Sequence, residues 1–319
     1  MIIWSALRTS FVSKRVLICD QVDPILPKVL RDNGMVVEYE PEITPGQLLE
    51  SAGRYEIIVV RSRTVVTAQV VERANQCQVI ARVGVGLDNI DQEAAAGRNI
   101  RVINAVEGAM NAVAELVVAH MLALARGIPR GDRGMREGRW LKKDLKGTEL
   151  RGKYLGIVGV GNIGKRLGRL ARAFNMNIIG YDVIPIDPEF CREVGLMKTD
   201  LDTLLQSSDY VSLHVPLLES TRHMINAESI SKMKKTACII NTARGGIIDE
   251  AALYDAIQDG RLGGAALDVF EKEPATDNPL AEVDNVILTP HIGAQTAEAQ
   301  ALAANVIAEK IVQIERGVI

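Results

Sequence analysis

The stretch Gly159-Val160-Gly161-Asn162-Ile163-Gly164 constrains this chain more than any other. It follows the apolar run Leu155-Gly156-Ile157-Val158, and the next apolar run, Ile178-Ile179-Gly180-Tyr181, ends at an acid, Asp182. Strand, glycine turn, helix, strand, acid is the order that a dinucleotide pyrophosphate site needs. Gly159 permits the tight turn, Gly161 lets the backbone approach the phosphates, and Gly164 lets helix and strand pack closely. Amides at the start of the helix expected from residue 165 to 174 then point at the anion. Glycines alone punctuate many loops, so the flanking elements and the acid 18 residues beyond Gly164 carry the reading. A carboxylate at residue 182 accepts hydrogen bonds from ribose hydroxyls and repels a 2′-phosphate, which favours NAD over NADP.

The rest of the chain fits two domains. Its 319 residues suffice for two cores, and 47% hydrophobic but only 4% aromatic residues predict cores of Val, Ile, Leu and Ala. A net charge of −3 gives no electrostatic reason to expect a nucleic-acid partner. Cys19, Cys77, Cys191 and Cys238 lack metal-ligand spacing, so free thiols in a reducing compartment and no metal are expected. No apolar run approaches the roughly 18 residues of a membrane span. The N-terminal stretch through Arg15 is slightly basic and without a cleavage signal. It reads as a disordered or edge-packed leader on a cytoplasmic protein.

Strands are expected at 15–19, 36–39, 57–61, 79–83 and 100–103, with helices between them such as 24–33 and 67–74. A nearly all-apolar helix, 110–126, reads as a buried connector between domains. The basic segment 130–153 reads as a solvated face, an exposed arm or a subunit contact. Six more strands follow, at 154–158, 177–181, 210–214, 237–241, 264–268 and 285–289, and a helix at 297–316 closes the chain. Alternating strands and helices imply parallel sheets covered on both faces.

Chemistry on a dinucleotide needs an acid/base group and a way to polarise a carbonyl. Strand ends of an open parallel sheet face the ligand. Three of them carry suitable groups: Arg244 in 241–246, Asp268, Glu271 and Glu273 in 267–274, and His291 after Thr289-Pro290. Arg244 would hold the carboxylate of a 2-hydroxy or 2-keto acid bidentately. His291 would exchange a proton with the substrate oxygen, and Glu273 would hold its far nitrogen. Each has a plainer reading, as a turn cap, an exposed loop acid or a structural hydrogen-bonder. His120 reads as a core histidine, His214 as a strand-end residue lining the nucleotide site, and His223 as a surface loop residue.

At these residues the chain resembles the D-isomer-specific 2-hydroxyacid dehydrogenases over nearly its whole length. The matching segments are 159–164 with Asp182, 214–217, 241–250, 265–274 and 290–294. The resemblance implies a fold of two doubly wound parallel-sheet α/β domains. A Rossmann-type NAD domain, 106–289, is inserted in a discontinuous flavodoxin-like substrate domain, 1–105 with 290–319, with a crevice and hinge between them. It implies catalytic roles for Arg244, Glu273 and His291. It implies cofactor contacts at Val85, Asn162, Ile163, Asp182, His214, Val215, Thr242, Ala243, Arg244, Asp268, His291, Gly293 and Ala294, beside Gly159, Gly161 and Gly164.

Segments 19–24, 60–62, 81–91 and 146–153 point to a branch acting on a phosphorylated 2-hydroxy acid, with substrate contacts at Arg61, Ser62, Gly84, Val85, Arg244 and His291. Arg61 is the first candidate for the phosphate, and Lys142 or Lys143, from a neighbouring subunit, a weaker one. Two positions depart from that branch. Its Asn and Ser ahead of Ala114-Glu115 are Ala109 and Ala112 here, so a contact made by that Asn is lost or moved to Asn111. No segment resembles an appended regulatory domain, so feedback through one is not expected. The resemblance implies a homodimer, with a tetramer left open. A reductase of short unphosphorylated acids and a non-catalytic NAD(H)-sensing scaffold remain as alternatives.

Overall fold

The computed structural model describes residues 13–318, so the expected leader lies mostly outside the described residues. The chain divides into two compact units. One takes the described residues through Ala109 and again from Thr296, and the other is Met110–Gln295. Residues 106–109 thus cluster with the first unit and 290–295 with the second, which differs from the expected boundaries by a few residues at each end.

The first unit is a five-stranded parallel sheet of β1 (Arg15–Ile18), β2 (Val36–Tyr39), β3 (Ile57–Val60), β4 (Val79–Arg82) and β5 (Arg101–Asn104), in the order β2-β1-β3-β4-β5. That is the flavodoxin-like doubly wound order. The period-2 pleat explains why the strands read as continuous apolar runs, since successive residues feed two separate cores. Val16, Ile18, Ile57 and Val59 pack with Leu26, Leu30, Ile307 and Ile311 of the helices Ile25–Asp32 and Ala297–Glu315. Leu17, Ile58, Val60 and Ile80 pack on the other face with Leu48, Val70 and Ala95. The returning helix lies close against Gly108, where a Cβ would stand 2.7 Å from that of Ala303.

The second unit is a seven-stranded parallel sheet. Its strands are β6 (Tyr154–Val158), β7 (Asn177–Tyr181), β8 (Leu196–Lys198), β9 (Tyr210–Leu213), β10 (Cys238–Asn241), β11 (Gly264–Leu267) and β12 (Val286–Leu288), in the order β12-β11-β10-β9-β6-β7-β8. The strand order reverses between β6 and β9, which is the switch point of a dinucleotide fold. Val158, Val211, Leu213, Ile239 and Leu267 face one core. Leu155, Ile157, Ile178, Ile240 and Ala266 face the other, which the helices Met110–Arg126 and Asn162–Ala173 cover with Val117, Met121, Leu167 and Ala171.

Three expectations need correction. Six strands were expected in this unit and seven are present. The extra one, β8, is a three-residue edge strand with Met197 exposed, too short to show a period. The helix Met110–Arg126 is not a connector sheathed all round, because it packs within the second unit and leaves Asn111, Glu115, Ala119 and Arg126 exposed. The basic segment opens with a further helix, Ile128–Arg136, turned 65° from the preceding one at Gly127, whose φ is +59°. Left-handed backbone there suits glycine.

Among the described residues no single helix is long and apolar enough to cross a membrane. None of the four cysteines is disulfide-bonded, and burial pushes the Cys77 and Cys238 thiols up to about 12. No cluster of His, Cys, Asp or Glu suited to a metal occurs among the described residues.

Candidate active site

The registers of the second sheet align Val158 with Tyr181 and Leu213, Leu213 with Asn241, Asn241 with Leu267, and Leu267 with Leu288. These residues form one row across the C-terminal edge. Gly159, Asp182, His214, Thr242, Asp268 and Thr289 are the next residue of each strand, so the sequence motifs converge because the sheet is parallel and in step.

Two of the three fingerprint glycines have a steric reason, and the third leaves open space. Gly159 holds φ +90°, and a Cβ there would stand 2.8 Å from the His214 carbonyl. A Cβ on Gly164 would lie 2.4 Å from the Gly159 oxygen, so that glycine sets the helix against the turn. Gly161 faces open space, where a phosphate can approach. It is the N-cap of the helix Asn162–Ala173 and offers no side-chain cap, which leaves the first-turn amides for an anion. The Asp182 carboxylate accepts from the amides of Val160 (2.7 Å) and Ile184 (2.9 Å), tying the glycine turn to the end of β7. Thr242 Oγ1 is buried without a partner, a polar atom left over at the strand-end row. His214 shares a 2.9 Å hydrogen bond with Ser212, and burial brings its pKa down to about 4, so the ring is neutral. An open glycine, uncapped amides, a strand-end acid and an orphaned hydroxyl fit NAD.

On the neighbouring strand-end loops stand the three residues for which acid/base and carboxylate-binding roles are expected. Buried Asn241 accepts from the Ala243 amide (3.1 Å) and donates to the Arg244 carbonyl (2.8 Å), which shapes the turn presenting Arg244. The guanidinium Nη1 donates to the Ala243 carbonyl at 2.6 Å. Gly245 presses on the next loop, where a Cβ would come within 1.8 Å of the Phe270 oxygen. That loop carries Glu273. Its Oε1 accepts from the Phe270 amide (3.1 Å) and its Oε2 lies 2.8 Å from His291 Nδ1. With Nδ1 beside the carboxylate, Nε2 is the ring's other nitrogen, and about half of the His291 side chain is solvent-accessible.

Asp268, expected to touch the cofactor, has its carboxylate committed inside the protein. Oδ1 accepts from Thr289 Oγ1 (2.6 Å) and the Ile292 amide (2.8 Å), and Oδ2 from the Gly293 amide (2.8 Å). It therefore holds the Thr289 side chain before His291 and the backbone after it, and His291 itself has φ +52°. No sequence motif assigns a role to Asn241 or Thr289. The signal for Asn241 is an amide side chain two residues before a loop amide that it can hold. Glu271, on the same loop as Glu273, accepts from the Glu250 amide and lies 3.1 Å from His223.

In the first unit the expected substrate residues also follow strand ends. Arg61 and Ser62 follow β3, and Gly84 and Val85 follow β4. Arg61 is half-buried, burial lowers its pKa against the pull of Asp20, and its amide donates to the Asp20 carboxylate. Asn104 donates to the Val85 carbonyl at 2.6 Å, which anchors that loop. Ala109 and Ala112 are buried, whereas Asn111, Lys142 and Lys143 are exposed.

A family model described as D-isomer specific 2-hydroxyacid dehydrogenase, NAD binding domain, matches residues 118–293. The chain belongs to that family, and its second unit is the NAD-binding domain. It is 46% identical over 304 residues to a D-3-phosphoglycerate dehydrogenase of Methanocaldococcus jannaschii, covering 95% of this chain and 58% of that protein. The chain thus spans little more than half the length of such relatives. It is also 46% identical over 300 residues to a hydroxypyruvate reductase of Thermotoga maritima, covering 93% of this chain and 97% of that one. Among solved structures it resembles the D-lactate dehydrogenase of Aquifex aeolicus complexed with NAD and lactic acid. The TM-score is 0.83 and the identity 28%, over 95% of this chain and 96% of that one.

Proposed function

We propose that this chain is an NAD-dependent D-2-hydroxyacid dehydrogenase that oxidises 3-phosphoglycerate to 3-phosphohydroxypyruvate, the step that opens serine biosynthesis. The observation that carries the dehydrogenase reading is His291 Nδ1 held 2.8 Å from Glu273, on a loop that Gly245 packs beside Arg244. NAD supplies the hydride acceptor when bound. Arg244 binds the substrate carboxylate with its fork of donors. His291 takes the hydroxyl proton at Nε2 and returns it in the reductive direction. Glu273 holds the Nδ1 proton, so the ring presents one nitrogen in one tautomer.

Arg61 is proposed as the cation for the substrate phosphate, with Ser62, Gly84 and Val85 as further substrate contacts. The names of several relatives support the phosphorylated acid. A homodimer through the NAD domain is proposed as the assembled form. The equally similar hydroxypyruvate reductase favours a second reading, in which the physiological substrate carries no phosphate.

The test follows NADH absorbance with 3-phosphoglycerate, D-glycerate and D-lactate, trapping the keto product. Selective turnover of the phosphorylated acid, lost in Arg61→Ala, is the expected result. Turnover of D-glycerate alone moves the assignment to the reductase. NADH binding without turnover in either direction leaves the nucleotide-sensing scaffold.

A further inference from the structure

The Met110–Arg126 helix carries one polar side chain into its buried face. His120 is 3% exposed and lies in the second unit. Its Nε2 is 3.4 Å from Thr289 Oγ1, and its Nδ1 is buried with no partner. A core histidine that served packing alone would have no reason to aim a nitrogen at a hydroxyl committed to a buried carboxylate.

Proton counting fixes the direction of this chain of contacts. The single hydroxyl proton of Thr289 goes to Asp268 Oδ1 at 2.6 Å. At its other side the Thr289 oxygen can only accept, so His120 must donate from Nε2–H. Nδ1 is then the bare nitrogen. Protonating it would create a buried donor without an acceptor, which is costly. Burial lowers the His120 pKa, and Asp268, the charged group that acts on the ring, opposes this only in part. The ring is therefore a neutral donor of one defined tautomer. The series runs His120 Nε2–H, Thr289 Oγ–H, Asp268 carboxylate, and then the amides of Ile292 and Gly293. Those amides follow His291 directly.

We infer that His120 is a positioning residue for His291, acting through Thr289 and Asp268. It does not touch substrate or cofactor. At 3.4 Å its bond is long and weak, so it acts by polarising and orienting the Thr289 hydroxyl. The catalytic consequence rests on the dehydrogenase reading above, whereas the structural coupling does not.

The test combines histidine-labelled and amide NMR with kinetics. With only four histidines in the chain, each imidazole can be resolved. In the wild type at pH 8, long-range proton–nitrogen spectra should show His120 neutral and protonated at Nε2. His120→Leu removes the donor and puts an apolar side chain in the same buried place. It should shift the Ile292 and Gly293 amides and lower kcat roughly 3- to 10-fold, the scale of one net hydrogen bond, with the thermal midpoint equal or higher. His120→Gln, which keeps a donor, should return kcat to within about twofold. Thr289→Val should reproduce the loss, and the double variant should be no worse than Thr289→Val alone.

An Nδ1–H tautomer overturns the inference, as do unchanged amides with full kcat in His120→Leu. A loss of kcat with a lowered midpoint and no recovery by Gln assigns His120 to packing and overturns it too. If no 2-hydroxy acid is turned over while the amides respond as stated, the dehydrogenase reading fails and the coupling stands.

Discussion

Asp268→Asn probes the site at its most heavily used anchor. The carboxylate is 1% exposed and accepts three hydrogen bonds, two from backbone amides and one from Thr289, at 2.6 to 2.8 Å. The amide side chain keeps the shape but has one acceptor oxygen. Placed best, that oxygen replaces Oδ1 and serves Thr289 and Ile292, while the NH2 group confronts the Gly293 N–H. An unpaired buried donor costs about 1–3 kcal/mol, and the two surviving bonds lose their charge assistance, roughly 1 kcal/mol more. The expected destabilisation is therefore about 2–4 kcal/mol, read as a lower urea midpoint with an unchanged slope. His291 sits at φ +52°, a left-handed backbone costing a non-glycine residue about 1–2 kcal/mol, and the Asp268 bonds oppose its relaxation. Releasing them should displace the ring and lower kcat about 10- to 100-fold. NADH binding by fluorescence separates this from a direct cofactor role. A variant with wild-type stability and kcat within twofold would falsify the view that Asp268 holds the loop.

The remaining expectations concern other parts of the same unit. His291→Ala should abolish turnover while leaving NADH binding nearly intact, and full activity would end the acid/base assignment. Asp182→Ala should weaken NAD and narrow its advantage over NADP, since it removes both the ribose acceptor and the tie to the Val160 amide; an unchanged preference ratio in steady-state kinetics would count against that role. His214 has a pKa of about 4 in the folded protein against 6.5 as an ordinary histidine, so the unfolded chain binds the extra proton first and stability falls as pH drops below about 7. Between pH 7 and pH 5 the loss is at most about 2 kcal/mol, and His214→Gln should lack that component; an identical pH dependence in denaturant titrations would refute the buried neutral ring.

How much of this was legible in the sequence follows from what each feature leaves in local order. Parallel strands buried on both faces are unbroken apolar runs, so their ends are marked by the first polar residue, as at Asp182 and Asp268, whereas Thr242 is marked only by the family resemblance. The three glycines were legible because each sits where a Cβ or a negative φ is forbidden or where a ligand must come close. β8 left no trace because three residues with one exposed Met have no period. The helix Ile128–Arg136 was hidden because it buries only Gly134 and carries two glycines, a proline and four charges, which read as loop. The bond from His120 to Thr289 joins residues 169 apart and could not be read from any local pattern. Burial of His120 was foreseeable from its apolar neighbours, but its partner was not.

What the fold adds is a reason for rigidity. Catalytic groups on loops must be held as firmly as if they stood on strands. Here the holding falls to three short polar side chains at strand ends. Asp182 receives the amides of Val160 and Ile184, Asn241 receives Ala243 and grips the Arg244 carbonyl, and Asp268 receives Ile292 and Gly293. Each satisfies backbone groups that a loop leaving a sheet would otherwise leave unpaired. Each thereby fixes one functional element: the glycine turn, the arginine and the histidine. The in-register sheet sets these clamps side by side, so the spacing of the reactive groups is inherited from strand spacing rather than from the loops themselves. Substitutions at the clamps should therefore lower kcat without removing any group that performs the chemistry.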